Sequence, residues 1–252
     1  MTRLSVLIPT LDEERNLPEC LASCAFADQI VVVDSGSTDR TAEIARDAGA
    51  TLLVHPFESH ARQKNWALPQ VAHDWVLLVD ADERVTAELQ QEIRAVLADP
   101  GERRGFRMRR LNTFLGRTIV GCGWQNDWVL RLLDRRVARF EDRRVHEGAV
   151  VEGATGALAA KLVHHSCRDL SEWLRKTDWY ARLGAEEAFA RGRRARPGDL
   201  AARPLGRFVK QWLLQGGFRD GPEGWLLCAT SAYSVLLKYA YLRELAKKAR
   251  AL

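Results

Sequence analysis

Asp74-Trp75-Val76-Leu77-Leu78-Val79-Asp80-Ala81-Asp82-Glu83-Arg84 is the stretch whose reading decides the fold. The apolar residues Trp75, Val76, Leu77, Leu78 and Val79 run without a break into acid. So short and continuous a run is expected of a central strand buried on both faces. Open α/β sheets place ligands at the carboxyl ends of their strands. Asp80 and Asp82 stand there one residue apart, where they can share work on a divalent cation and a phosphorylated ligand. Magnesium and manganese prefer hard oxygen and take one or two carboxylates together with substrate phosphates. The plainer alternative is a turn whose acids only cap the helix expected over 86–98.

Upstream, residues 4–9 read as a strand stopped by Pro9. Thr10-Leu11-Asp12-Glu13 has capping-box spacing, which predicts a helix from there through Cys24. Residues 29–34 form a second buried strand, again ending in acid at Asp34. A turn follows at 35–39, then a helix to about Ala48, with Gly49 as a left-handed stop. Residues 51–54 make a third strand and 59–68 a helix. Strand and helix thus alternate through the first hundred residues, the signature of a mostly parallel sheet covered by helices on both faces. If the acid-tipped strands are neighbours, Asp34, Asp80 and Asp82 line one crevice bordered by Pro9 and Thr10.

Past Gly101 the texture changes. Residues 106–111 and 128–133 read as strands, 116–123 as a loop, and 158–164 as a last strand with His164 and His165 as structural residues at its end. A helix is expected from 170 to about 191, an arginine-, glycine- and proline-rich loop over 191–203, and an amphipathic helix over 205–214. Residues 225–237 are strongly apolar and a basic tail follows.

The 252 residues are 46% hydrophobic, enough to bury one large core, with or without an appendage. The formal charge of +5 is largely arginine, which favours phosphate-bearing partners, although solubility alone accounts for so small an excess. The five scattered cysteines suit a reducing compartment, with Cys20 and Cys24 on one helix face as core residues. No signal peptide is read at the amino terminus, and no stretch reaches the roughly 18 apolar residues of a spanning helix.

Neither Gly-X-Gly-X-X-Gly after a strand nor a P-loop motif occurs. An aspartate-nucleophile phosphatase would carry its Asp-X-Asp after the first strand, not the fourth. Three segments instead resemble the motifs of family 2 glycosyltransferases with the GT-A fold: Val6-Leu7-Ile8-Pro9-Thr10-Leu11-Asp12-Glu13-Glu14, Val31-Val32-Val33-Asp34-Ser35-Gly36-Ser37-Thr38-Asp39 and Val79-Asp80-Ala81-Asp82-Glu83. The resemblance implies that Pro9, Thr10 and Glu13 border the nucleotide pocket and that Asp34 bonds the uracil or ribose. Many members carry a second Asp where this chain has Ser35. Asp80 would reach ribose or phosphate and Asp82 would ligate the metal. Lys64-Asn65 resembles the basic-Asn pair beside the nucleotide, with a plain helix surface as the alternative.

Gly123-Trp124-Gln125-Asn126-Asp127-Trp128, Arg131-Leu132 and Val145-His146-Glu147 resemble the branch that adds glucose to the inner core of lipopolysaccharide. So do Gly217-Phe218-Arg219-Asp220-Gly221 and Gly224-Trp225. Inversion at the anomeric carbon needs a carboxylate opposite the leaving diphosphate. Glu147 is favoured, Asp127 is second, and Asp134, Glu141 and Asp142 are also candidates. His146 would be a further metal ligand or an acceptor-orienting group, and Arg131 a diphosphate ligand. Trp124 and Trp128 are either sugar platforms or core.

The expected architecture is α/β: a GT-A, Rossmann-like, mostly parallel sheet with flanking helices over 1–168, and a helical extension over 169–252. The implied activity is inverting, metal-dependent (Mn2+ or Mg2+) transfer of a hexose from a UDP-sugar to a lipid-linked glycan such as the lipopolysaccharide core. Polyprenyl phosphate or a capsule glycan is the alternative acceptor, and a non-catalytic basic scaffold is the alternative of another class. The expected location is the cytoplasm or the cytoplasmic face of the inner membrane, held peripherally, with the apolar helix lying among headgroups or packed on protein. No nucleic-acid partner is expected.

Overall fold

The computed structural model describes residues 2–141 and 148–249. Two compact units are present, 1–111 with 127–164, and 112–126 with 165–252.

In the first unit, strands β1 (Leu4–Thr10), β2 (Gln29–Asp34), β3 (Thr51–Val54) and β4 (Trp75–Leu78) run parallel in the order β3-β2-β1-β4. Helices α1 (Leu17–Cys24), α2 (Thr41–Asp47), α3 (His60–Ala67) and α4 (Ala87–Ala98) alternate with them. Beyond β4 the sheet turns antiparallel through β8 (Trp128–Asp134) and β6 (Arg103–Phe114). It continues to β11 (Ala154–Cys167) and β5 (Glu83–Val85). A short β7 (Arg117–Thr118) pairs β6, while β9 (Ala138–Glu141) and β10 (Gly148–Val151) form a separate ribbon. This is the arrangement expected of the GT-A fold: a sheet with a block of parallel strands, flanking helices and a long carboxyl-terminal helix.

Each of the four residues of β4 is buried, so both faces of the sheet are covered there, as an unbroken apolar run requires. One core packs Leu77 with Leu89, Ile93 and Leu97, which recur every fourth residue along α4. Each such leucine or isoleucine contributes about 1.5–3 kcal/mol by leaving water. On the other face Val76 and Leu78 meet Ala61, Ala67 and Phe140. Cys20 and Cys24 lie with Leu17 and Leu21 on the buried face of α1, as expected of core residues.

The capping-box reading of Thr10 to Glu13 is corrected. Helix α1 starts only at Leu17, and Asp12 has φ +53°, outside any helix. Asp12 instead accepts the Thr38 amide at 2.7 Å, and the Glu13 and Glu14 amides donate to Thr41 Oγ1 and Asp39 Oδ2. Partners from the loop after β2 were nearer than a helical turn of its own. β5 was not read from the sequence at all, because three residues leave no detectable period.

In the second unit, α5 (Leu170–Ala190), α6 (Asp199–Val209), a π-helical turn over Lys210–Leu214 and α7 (Gly221–Lys248) pack together. The loop expected over 191–203 ends at 198. Asp199 restrains the first turn of α6 by accepting the Arg196 amide at 2.9 Å and pairing with Arg203 at 2.6 Å, so the helix forms despite Pro204. Asp220 is buried and accepts the Val120 and Gly121 amides, both at 2.8 Å. A methyl group on Gly121 would meet Gly216 O at 2.4 Å, and one on Gly224 would meet Gly217 O at 2.2 Å. The Gly217-Phe218-Arg219-Asp220-Gly221 motif therefore serves close backbone packing. Trp124, read as a possible sugar platform, is core: it meets Phe114 and Trp173 edge-on within this unit.

Candidate active site

The register pairs Thr10 with Asp34 and Leu7 with Leu78, so the tips of β1, β2 and β4 lie side by side. Asp34 is buried and holds its own loop, accepting amides from Gly36 at 3.1 Å and Ser37 at 2.9 Å and hydroxyls from Ser37 and Thr10. Gln63, missed in the sequence, ties α3 to that tip through Val33 O and Ser35 Oγ. Pro9 stands beside Thr10 on β1, and the Glu13 carboxylate accepts from Asn16 at 2.7 Å.

After β4 the chain makes a tight turn, with the Glu83 amide on Asp80 O and the Asp80 amide on Glu83 Oε2 at 2.9 Å. Glu83 is fully buried and receives Arg131 at 2.8 Å and Arg110 at 3.6 Å. Arg131 also pairs with Asp80. Burial opposes ionisation of Asp80, but Arg131, then Lys64 and Arg110, outweigh it and hold its carboxyl well below the usual range. Burial raises that of Glu83 against the pull of Arg131. Arg131, expected on diphosphate, is thus already committed to two carboxylates and is only 7% exposed.

A cavity of about 540 Å³ opens beside this turn, lined by Asp80 with Lys64, Arg107, Arg110, Arg131 and Trp128. Trp128 is exposed there, and the Arg109 guanidinium lies 5.3 Å from its ring centre. Lys64 lines the cavity with Asp80, whereas Asn65, expected with it beside the nucleotide, clamps β9, bonding both the amide and the carbonyl of Phe140 at 2.8 Å. Asp127 is engaged by Arg110 at 2.8 Å. Asp134 is buried between Arg136 and Arg104, away from any base role. Glu147, His146 and Asp142 lie outside the described residues, although Gly148, next in chain to Glu147, lines the cavity.

Asp82 turns to a residue that the sequence reading set aside. β5 pairs with β11 so that His164 stands opposite Glu83, which brings His164 Nε2 to 3.4 Å from Asp82 Oδ2. His165, its neighbour, meets Thr113 Oγ1 at 3.2 Å within the second unit, a structural contact as expected.

The sequence over residues 5–103 matches the model of glycosyl transferase family 2. A lipopolysaccharide core biosynthesis glycosyltransferase, LpsC, of Rhizobium meliloti is 32% identical over 98% of this chain and 94% of its own length. The chain belongs to glycosyl transferase family 2. This transferase is also 27% identical to an uncharacterized glycosyltransferase of Rickettsia typhi, over 99% of the chain and 90% of that protein. Among solved structures it is similar to S. aureus TarS residues 1–349, at TM-score 0.47 and 16% identity over 98% and 92% of the two chains. It is likewise similar to a glucosyl-3-phosphoglycerate synthase of Mycobacterium tuberculosis, in complex with Mn2+, UDP and glucosyl-3-phosphoglycerate. That likeness has TM-score 0.47 and 17% identity over 74% and 79%.

Asp82 and His164 are the described residues that would hold a divalent cation. Asp82 and His164 supply one oxygen and one imidazole nitrogen, both partly exposed. Among the described residues no three His, Cys, Asp or Glu side chains converge.

Proposed function

We propose that this glycosyltransferase moves a hexose from a UDP-sugar, with inversion and with a divalent cation, to a hydroxyl of a lipid-linked glycan of the lipopolysaccharide-core type. The observation that carries the reading is the cation-rich cavity that opens on Asp80 beside the Asp82–His164 pair. Four basic side chains and one carboxylate suit a diphosphate that must be held and then released. Likeness to LpsC along nearly the whole chain supports the acceptor class. A cation on Asp82 and His164 would neutralise the departing diphosphate.

Lys64 and Arg107 hold donor phosphate in this reading, and Arg131 keeps Asp80 ionised and in place. Trp128 stacks on a sugar ring at the cavity mouth. Glu147 takes the proton from the attacking hydroxyl; Asp127 is the weaker choice, because Arg110 already occupies its carboxylate. A peripheral position on the cytoplasmic face of the inner membrane would meet such an acceptor, and no helix among the described residues is long and apolar enough to cross a membrane.

The test is a panel of UDP-sugars scored for cation-dependent hydrolysis and for transfer to purified core acceptors. Turnover of one UDP-hexose on a core acceptor, lost on chelation, supports the assignment. Transfer to polyprenyl phosphate instead would move it to the other acceptor class, and full turnover in chelator would remove the cation.

A further inference from the structure

The second unit contains a cavity that the proposed transfer reaction does not use. It measures about 300 Å³ and is walled by the end of α5 with the loop after it, by α6 and by α7. Arg193, Arg194, Arg196, Arg203 and Lys238 line it, and Asp199 is its single carboxylate. None of these residues lines the cavity beside Asp80. Apart from Tyr239, the apolar lining is Ala188 and Leu242, so a greasy occupant would find little to pack against. The charge is concentrated along the chain as well: residues 191–210 hold seven arginines and lysines and one acid, a net excess larger than the +5 of the whole protein.

Five like charges around one space repel one another unless something neutralises them. Asp199 does so only in part, pairing with Arg203 at 2.6 Å and accepting the Arg196 amide at 2.9 Å. Arg203 is held on its other side by the Tyr239 ring, 5.0 Å away. Arg194 is fixed without being neutralised. Its guanidinium lies 4.1 Å from the Phe189 ring centre and donates to the Arg193 and Phe189 carbonyls at 2.9 and 3.4 Å.

Two cations remain. Arg193 and Lys238 have neither an acidic partner nor a side-chain hydrogen bond among the described residues. Their backbone is nevertheless set. Gly192 takes φ +77°, which glycine adopts without strain, and the Arg193 amide returns to Ala188 O at 2.9 Å, closing the end of α5. Lys238 is half-buried, and its stem crosses α5 at Gly184, where a methyl group would touch Cδ, Cε and Nζ at 3.4–3.5 Å. Two anchored arginines and two uncommitted cations thus face one polar space before any ligand arrives.

We infer that this cavity is an anion site for a phosphate monoester, distinct from the place of the donor diphosphate. Charge and geometry select the ligand. A monoester carries about −1.5 to −2 near neutral pH and three strong acceptor oxygens, so it answers several cations at once. A lone carboxylate would leave most of them unanswered. Planar guanidinium forks match phosphate oxygens two at a time, which suits Arg193, and the Lys238 ammonium adds a point charge. The volume lies at the lower end of the roughly 300–1,000 Å³ of small-molecule sites, room for the phosphate and a small polar body bearing it.

The experiment is calorimetry on the full-length protein with inorganic phosphate, glucose 6-phosphate and dihexanoyl phosphatidic acid below its micelle concentration. Binding is expected, and dimethyl phosphate, a diester of single charge, should bind at least about tenfold more weakly. Preference for glucose 6-phosphate assigns the group to a glycan, preference for phosphatidic acid assigns it to a lipid headgroup, and equal affinity for all three assigns it to free phosphate; each supports the site. Arg193→Gln with Lys238→Gln should lower affinity on the order of a hundredfold, about tenfold for each charge-assisted bond, with the thermal midpoint as in the parent. If that pair unfolds, Arg193→Gln alone should still weaken binding about tenfold. Lys247→Gln removes an exposed cation of α7 outside the cavity and should change nothing. Nor should Lys64→Ala with Arg107→Ala, which takes two cations from the cavity beside Asp80. Absence of binding, equal affinity for the diester, an equal loss in Lys247→Gln, or a loss that follows Lys64 and Arg107 instead of Arg193 and Lys238 would overturn the inference. None of these outcomes depends on whether the transfer assignment holds.

Discussion

At the scale of single residues, two carboxylates one position apart have opposite tasks. Glu83 is buried against Arg131 and Arg110, whereas Asp82 is partly exposed and turns to His164. Asp82→Ala is expected to reduce transfer by at least about a thousandfold while leaving the unfolding midpoint in urea unchanged. His164→Ala should weaken cation affinity in the presence of UDP by about 10–100-fold, measured by calorimetry; unaltered affinity would mean that His164 serves only Asp82's orientation or the strand. Arg131→Met leaves Glu83 buried without its chief partner, and a loss of about 3–5 kcal/mol is expected on urea unfolding. Pairing it with Glu83→Gln should restore part of that loss.

Asp134 gives a pH prediction of definite sign. Arg136, against the effect of burial, and then Arg104 hold its carboxyl below the ordinary range in the folded protein. Its stabilising effect is therefore complete above the unfolded value, about 4, and disappears as pH falls through the lower folded value. Asp134→Asn should be less stable than the parent at pH 7, and the difference should shrink steadily below about pH 4. A gap of constant size across that range in urea titrations would contradict the assignment.

At the scale of elements, the active-site wall depends on contacts between segments far apart in sequence. Asn65 on α3 bonds both backbone groups of Phe140 on β9, which lines the cavity. Asn65→Ala should cost about 1–3 kcal/mol, and hydrogen exchange should show the Phe140 amide opening sooner than those of β4. Lys64 is the next residue on the same helix, so the substitution should also raise KM for donor, although Asn65 lines no part of the cavity. The arrangement of β4, β5 and β11 is equally consequential: three residues of β5 set His164 beside the acidic turn.

For the whole molecule, the proposed function predicts that nucleotide and cation bind in a coupled way. With Asp82 and His164 as its ligands among the described residues, Mn2+ should bind weakly to the protein alone and markedly more tightly once UDP is present. By linkage UDP should gain the same factor from Mn2+. Calorimetry in both orders of addition measures both factors. Tight Mn2+ binding without nucleotide would require a third protein ligand that the described residues do not supply.

The sequence by itself determined the alternation of strand and helix through residue 98, the acidic ends of β2 and β4, and the family. These features are local: an apolar run, a turn signal and a spacing can be read along the chain because neighbouring residues cause them. Through a resemblance it also pointed to Lys64 as a residue beside the nucleotide, and the structure sets Lys64 and Asp80 in one cavity. Only the tertiary structure decided what each charged side chain faces. Thr10 to Glu13 formed no capping box and Asp12 accepted the Thr38 amide from the loop after β2, Trp124 became core while Trp128 stayed open, and Arg131 was claimed by Asp80 and Glu83. His164 gained Asp82 as a partner across 82 positions of chain. The physical reason is common to all of these. Burial and Coulomb attraction act through space between groups that the sheet brings together, and sequence distance carries almost no trace of that juxtaposition.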